Sequence, residues 1–332
     1  MMNVLLISDE NYALQLTVLM TSILENSSND FNEINFFIVN NGIAENSLEK
    51  VKSLETKYEK AKITFLSTDK IERSLDGVRD RLPIKNLSYF YRLFMDLILP
   101  EDIDKILYTD SDIVVDSSLA QLYNEDIDDY VVAGVIDINQ SIFKEYLDMG
   151  SEDVYFNSGV LLVNFQKWRK DKIQDRIMDF IKHTTDKDLL YDQHILNHVL
   201  KDDIKILEPK NNVLTHMFTL NYKRFMGIFR IEDGVFNEKE YLEAQLNPRV
   251  VHYIGSPWGR PWEQDCKHPK TDLFFKYKDI SPWANDKINY KPMNKSLMVK
   301  KAIVRFIFLS FPVRITSYMN KNNILNLRWF VT

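Results

Sequence analysis

The sequence predicts an α/β protein, a mostly parallel sheet flanked by helices on both faces, with a basic helical appendage at its C-terminal end. Three observations carry this. Short apolar runs alternate with longer helix-like stretches from the first residues onward. The chain has 332 residues, 45% of them hydrophobic and 12% aromatic, which is enough to bury one large core and excludes disordered and fibrous classes. The composition then turns basic and aromatic towards the end.

Taken in order, NVLLIS is followed by YALQLTVLMTSILENS, INFFIVN by ENSLEKVKSLETKYEK, and ITFLST comes next. That succession is the signature of βαβ units, in which ligands bind beyond the carboxyl ends of the strands. A helix is expected over residues 88–97, closed by Pro100, and then a strand KILYTDSDIVV. VVAGVID and VYFNSGVLLVNFQKW supply further apolar runs, with helices near residues 172–183 and 193–200. Residues 209–250 read as a loop-rich segment. SPWANDKINYKPMNK reads as a linker, so a main domain is expected over 1–281 and a linker plus tail over 282–332. There are no internal repeats.

Six histidines, a single cysteine (Cys266) and no Cys-x-x-Cys pair exclude a disulfide framework and a cysteine-based zinc site. The opening MMNVLLISDENY has no basic region before its apolar run, so it reads as a first strand and not as a secretion signal. Together these point to a cytoplasmic protein. Of the 42 Lys and Arg, nine lie in residues 287–332, where there is no Asp or Glu, so the body is more acidic than the net −6 suggests. Phe306, Ile307, Phe308, Leu309, Phe311, Ile324, Leu325, Trp329 and Phe330 are interleaved with those cations. Arg305, Pro312 and Arg314 interrupt the tail well short of the ~20 apolar residues of a spanning helix. A basic, aromatic segment of this kind is expected to lie on an anionic membrane surface, here the inner face of the plasma membrane. The competing reading is a basic helix folded back on the acidic body. No nucleic-acid partner is expected, because the body is acidic and contains no recognition module.

Several polar groups interrupt the apolar pattern. Asp110 and Asp112 flank Ser111 in YTDSDIVV, and in an extended chain both carboxylates leave one face. Hard divalent cations are the usual compensation for carboxylates withdrawn from water. Asp-x-Asp is equally the composition of a solvated turn. His252, after Val250 and Val251, could complete a cation site or merely cap a strand. The following Gly255, Gly259 and Pro261 make a tight loop able to approach a ligand closely. In SDENY, Asp9 could accept from a uracil N3–H and Tyr12 could stack on the base, while a simple helix N-cap by Asp9 is the alternative. Asn157 precedes the apolar run VLLVN. Asp192 and Gln193 open a helix, where Asp192 is also a plausible N-cap. Arg92 is a lone cation on an apolar helix, facing a phosphate or carboxylate or simply snorkelling.

The co-linear set SDENY, YRL, YTDSDIVV, VVAGVID, YFNSGVLLVNFQKW, YDQHILN and HYIGSPWGRPW, spanning roughly residues 1–265, resembles glycosyltransferase family 8. These are retaining enzymes that include bacterial lipopolysaccharide galactosyl- and glucosyltransferases and glycogenin. The resemblance implies a GT-A fold, a UDP-hexose donor, and Mn²⁺ with Mg²⁺ as the alternative ion. It implies Asp110, Asp112 and His252 as metal ligands. Asp9, Asn11 and Tyr12 match the uridine segment, Ser111 lies between the two aspartates, and Arg92 matches a donor-site arginine. Asp137, Asn157, Asp192 and Gln193 match the surroundings of the transferred sugar, and Gly255 a loop glycine near the diphosphate. One departure stands out: the family commonly reads HYxGxxKPW, whereas this chain has two more residues and Arg260 before Pro261. A guanidinium there is not equivalent to an ammonium. The basic aromatic tail also resembles the membrane-associating C-terminus of some lipopolysaccharide members.

The expected reaction is therefore transfer of galactose or glucose from a UDP-sugar to a hydroxyl of a glycan, glycolipid or glycoprotein acceptor. Arg92 and Arg260 would assist departure of UDP, and Asp192 would hold donor hydroxyls. No carboxylate nucleophile stands at Gln193, which favours return chemistry on one face of the sugar over a covalent glycosyl-enzyme. Acceptor contacts are expected from residues 209–250, 77–87 and 138–153. Two other classes use similar residues: a metal-dependent nucleotidyltransferase or phosphohydrolase, and a non-catalytic UDP-sugar-binding protein.

Overall fold

The computed structural model describes residues 1–83, 86–185, 191–232, 234–235, 237–255, 257–290 and 293–322. Lys291, Ile324, Leu325, Arg328, Trp329 and Phe330 of the expected tail lie outside these. Ten strands among the described residues form two sheets: β1 (Met2–Ser8), β2 (Ile34–Asn40), β3 (Ala61–Leu66), β4 (Lys105–Thr109), β5 (Ile113–Val115), β6 (Val132–Ile136), β7 (Phe156–Asn164), β8 (Ile204–Ile206), β9 (Val213–Leu214) and β10 (Val250–His252). The larger sheet runs β3-β2-β1-β4-β7-β6-β8 and the smaller β5-β10-β9.

The expected βαβ units are present. β1 pairs in parallel with β2 and β4, and β2 with β3. β7 is antiparallel to both β4 and β6. Eight of its nine residues are buried, because helices cover both faces of the central sheet. Separate apolar clusters lie on the two sides of that sheet, since alternate strand residues point to opposite faces: Leu5 and Ile106 to one, Val4 and Leu107 to the other.

KILYTDSDIVV is not one strand but two, in different sheets. β4 ends at Thr109, Asp110–Asp112 form a turn, and β5 begins the second sheet. β5 is anchored by polar groups of the helix Ala13–Ser27, which is buried along most of its length. Ser22 Oγ accepts from Val115 N, Asn26 Nδ2 donates to Val115 O, and Ser27 Oγ accepts from Leu119 N, at 3.0–3.1 Å. The helix thereby satisfies the outer edge of a three-residue strand too short to hold itself.

Other expectations needed correction. Residues 88–97 form a 3₁₀ segment, Leu87–Leu97, broken at Phe94, instead of a regular helix. Residues 209–250 are not loop-rich: they contain helices Thr215–Thr219, Tyr222–Phe229 and Glu238–Leu246, the last with a full capping box between Asn237 and Glu240. Each is too short for a clear period. Their apolar residues Phe225, Phe229 and Tyr241 are held in a core completed by Val304, Ile307 and Phe308 of the helix Lys295–Ser310. That helix also places Lys301 against Glu263 and Asp265, at 2.9 and 3.0 Å. Part of the tail's basic charge is thus folded back on the body.

Candidate active site at the carboxyl end of the central sheet

Strand pairing brings distant residues together. β5 and β10 are antiparallel with His252 opposite Ile113, and Tyr253 N donates to Asp112 O at 2.9 Å. Asp110 N donates to Gly159 O at 2.8 Å, extending the β4–β7 ladder. One ligand atom each from Asp110, Asp112 and His252 lies within 4.8 Å of the others. His252 Nε2 stands 3.2 Å from Asp112 Oδ1, and Arg260 Nη2 3.3 Å from Asp112 Oδ2. Burial alone would raise the Asp112 carboxyl, but these two cationic neighbours outweigh it and hold it below the usual range. Burial likewise opposes protonation of His252, and the Asp112 carboxylate overrides it, raising the imidazole.

Arg92 is the second organising group. Its Nη2 lies 2.9 Å from Asp110 Oδ1 and its Nε 2.9 Å from Asp192 Oδ2, while Nη1 donates to Ser158 O at 2.9 Å. The guanidinium sits 4.8 Å from the ring centroid of Tyr108, whose hydroxyl donates to Asp110 Oδ1 at 2.6 Å. Arg92 therefore neither snorkels nor stands alone. Asp192 is the first residue of the helix Asp192–Leu200, whose N-cap position is Tyr191, and its carboxylate pairs with Arg92. Burial raises the Asp192 carboxyl despite that partner.

A buried amide chain links this pair to the triad. Gln193 Oε1 accepts from Ser158 N at 3.0 Å and Oγ at 3.2 Å; its Nε2 donates to Asp137 Oδ2 at 3.3 Å and Tyr155 Oη at 3.1 Å. Asn157 Nδ2 donates to Asp137 Oδ2 at 2.9 Å, and Asn157 Oδ1 accepts from Asn212 Nδ2 at 2.8 Å. Asn212 Oδ1 then meets His252 Nδ1 at 3.0 Å. Asp137 is held by burial above the usual carboxyl range, against the pull of these amides.

The nucleotide-facing candidates are further out. Asp9 caps the 3₁₀ turn Glu10–Tyr12, accepting from Asn11 N at 2.9 Å and Asn11 Nδ2 at 3.3 Å. Tyr12 accepts from Arg260 Nη1 at 3.2 Å, and burial pushes its hydroxyl up to about 12. Arg260 joins Tyr12, Asp112 and the Tyr253 carbonyl, so the lengthened loop still delivers a cation beside the triad. Gly255 O accepts from Gly259 N, whose φ of +77° suits glycine, closing the loop tightly. Ser111 Oγ donates to Ile7 O at 3.0 Å, which ties the turn to β1.

Two carboxylates and an imidazole converging without cysteine are a donor set for a hard or borderline divalent cation. Arg92 and Arg260 set fixed positive charge against these carboxylates. His252 fits the role, because Nδ1 is engaged elsewhere while Nε2 faces Asp112.

The family model for glycosyl transferase family 8 matches residues 3–266. The chain belongs to this family. This glycosyltransferase is 28% identical over 284 residues to general stress protein A of Bacillus subtilis, covering 85% of the chain and 94% of the relative. It is 29% identical over 320 residues to a lipopolysaccharide 1,2-glucosyltransferase of Escherichia coli, covering 90% and 86%. The galactosyltransferase LgtC, solved with donor and acceptor sugar analogues, matches its fold with a TM-score of 0.67 and 23% identity, over 89% of this chain and 98% of that one. The family 8 transferase accordingly has the GT-A fold.

Sequence reasoning missed several parts of the site. Asn212, in PKNN, looks like any turn residue. Gly159 is a strand glycine with room for no side chain: a Cβ there would meet Asp110 Oδ2 at 2.9 Å, Asn157 Oδ1 at 3.0 Å, and His252 Cε1. The hydroxyls of Tyr108 and Tyr155 orient Asp110 and Gln193, but nothing in the sequence separates them from core aromatics.

Proposed function

We propose that this glycosyltransferase moves galactose or glucose from a UDP-sugar to a hydroxyl of a cell-surface glycan, glycolipid or glycoprotein, with retention at the anomeric carbon, using Mn²⁺ held by Asp110, Asp112 and His252. The observation that carries the reading is the adjacency of that triad to the Arg92–Asp192 pair and the Gln193–Asp137 amide row. When bound, the cation would supply Lewis-acid neutralisation of the charge that develops on departing UDP. Arg260 and Arg92 add fixed positive charge in a partly water-excluded site, where it stabilises most. Asp9, Asn11 and Tyr12 are assigned to the uridine, and Gly255 to close approach of loop backbone to the diphosphate. Asp137, Asn157 and Asp192 are assigned to the sugar hydroxyls, which they orient. All the polar atoms of Gln193's side chain are engaged, which suits a fixed amide on one face of the sugar and supports return chemistry over a covalent intermediate. The name of the Escherichia coli relative supports a lipopolysaccharide-type acceptor.

The test is UDP release from UDP-galactose and UDP-glucose with Mn²⁺. One of the two donors should turn over at least tenfold faster than the other, and EDTA should abolish the signal. Turnover undiminished in EDTA, or release of pyrophosphate in place of UDP, would overturn the proposal.

We further assign the tail to the inner face of the plasma membrane. Among the described residues no helix is long and apolar enough to cross a membrane. Lys295–Ser310 nevertheless has two apolar faces. One packs into the body through Val304, Ile307 and Phe308; the other exposes Val299, Ile303, Phe306 and Leu309, and Ile315 and Tyr318 of the helix Val313–Lys321 are exposed as well. Spacings of three and four make the exposed set a stripe. Deleting residues 287–332 would open the core, so point variants are the cleaner test. Phe306→Glu should weaken binding to phosphatidylserine vesicles roughly tenfold or more, from the ~1.5–3 kcal/mol of a buried Phe side chain. Hydrolysis of the donor should be spared. Vesicle binding equal to that of the unmodified chain would contradict the assignment.

A further inference from the structure

We infer that Asn212 is a positioning residue that presets His252 for the cation by accepting from Nδ1–H and leaving the Nε2 lone pair facing the two aspartates; this rests on the metal-site reading above. The inference follows from a chain of donors and acceptors in which each end is fixed. Gly159 N is a backbone donor, and it donates at 3.0 Å to the side-chain oxygen of Asn157. The other end of that amide donates to the Asp137 carboxylate at 2.9 Å, so Asn157 has one orientation only. Asn212 must therefore present its NH₂ to Asn157 Oδ1, at 2.8 Å, and its oxygen to His252 Nδ1, at 3.0 Å. An oxygen opposite a ring nitrogen requires the proton on that nitrogen.

The alternative tautomer is a real competitor. Asp112 Oδ1 lies 3.2 Å from Nε2 and would stabilise a proton there, closing the lone pair to a metal. Asn212 tips that competition. It is fully buried and placed by strand pairing, since it immediately precedes β9, whose Val213 and Leu214 pair with Val251 and His252. Histidine ligands generally need such a partner on the second nitrogen, and its loss typically costs about 10–100-fold in metal affinity.

The experiment measures Mn²⁺ binding to the full chain without donor, from the electron paramagnetic resonance signal of free ion. Asn212→Leu keeps the branched shape and removes the acceptor, and should weaken binding about 10–100-fold. Asn212→Asp keeps the acceptor but loses the donor to Asn157, and should recover most of the affinity. If Asn212→Leu binds like the unmodified chain, the inference fails and the metal site stands. If Asn212→Asp is as weak as Asn212→Leu, the effect belongs to the bridge to Asn157 and the inference again fails. If the unmodified chain binds no Mn²⁺, the metal reading falls and takes the inference with it. Should Asn212→Leu not fold, the tautomer is read in the unmodified chain labelled with ¹⁵N-histidine, at a pH where the ring is neutral. A proton on Nδ1 is expected, and one on Nε2 overturns the proposal.

Discussion

Replacing Asp112 with asparagine is expected to lower metal-dependent UDP release about a thousandfold, the equivalent of roughly 4 kcal/mol of lost transition-state stabilisation. The fold should survive. Asp112 lies in a turn between two sheets, and the neighbouring backbone bonds, Tyr253 N to Asp112 O and Asp110 N to Gly159 O, do not involve its side chain. The substitution preserves shape and removes one negative charge, leaving Arg260 and His252 with one carboxylate fewer. His252 then loses the group that raises its pKa and becomes neutral more readily, which limits the damage. The expected signature is a cooperative thermal transition within a few degrees of the unmodified chain, with transfer and Mn²⁺ affinity lost together. Wild-type turnover by the variant would remove Asp112 from the metal site. A collapse of the transition would show that the carboxylate matters chiefly to folding.

Much of this site could be read from the chain because its charged residues break the apolar pattern. Asp110, Asp112, Arg92 and Asp192 stand out in otherwise apolar runs, and the structure gathers all four. What could not be read is what depends on pairing between distant segments. The antiparallel β7 has the same continuous apolar composition as a parallel strand, so its direction leaves no local trace. YTDSDIVV looks like one strand, because the switch from β4 to β5 is made by pairing with β7 and β10, some 50 and 140 residues later in the chain. Residues 209–250 seemed loop-rich because helices of five to nine residues gain their stability from packing against the helix Lys295–Ser310 and not from their own periodicity. Asn212 is the clearest case. A buried asparagine spending both ends of its amide on side chains 40 and 55 residues away is indistinguishable in sequence from one in a solvated turn.

Gly159→Ala should be nearly as damaging as loss of a ligand, although it adds one methyl group and removes no functional atom. The backbone of Gly159 is ordinary strand, so the argument concerns space and not φ. The new Cβ would lie 2.9 Å from Asp110 Oδ2 and 3.0 Å from Asn157 Oδ1, and against His252 Cε1. None of these is the loose end of a flexible side chain. Asp110 is held by Tyr108 and Arg92, Asn157 by Asp137 and Asn212, and His252 by Asn212 and Asp112. Any one of them can yield only by stretching a buried hydrogen bond, at about 1–3 kcal/mol each. Overpacking of a fixed core costs a similar ~1–3 kcal/mol. Urea denaturation should therefore show a loss of stability of that order. Mn²⁺ affinity and UDP release should each fall about a hundredfold, because displacement of a catalytic group by about 1 Å is worth that much. Gly77→Ala is the matched control, since a Cβ there meets nothing within 4 Å, and it should change neither quantity. If Gly159→Ala bound Mn²⁺ and turned over like the unmodified chain, the close packing of the triad around β7 would not be needed for function. If it lost stability but kept metal affinity, the glycine would serve the strand and not the site.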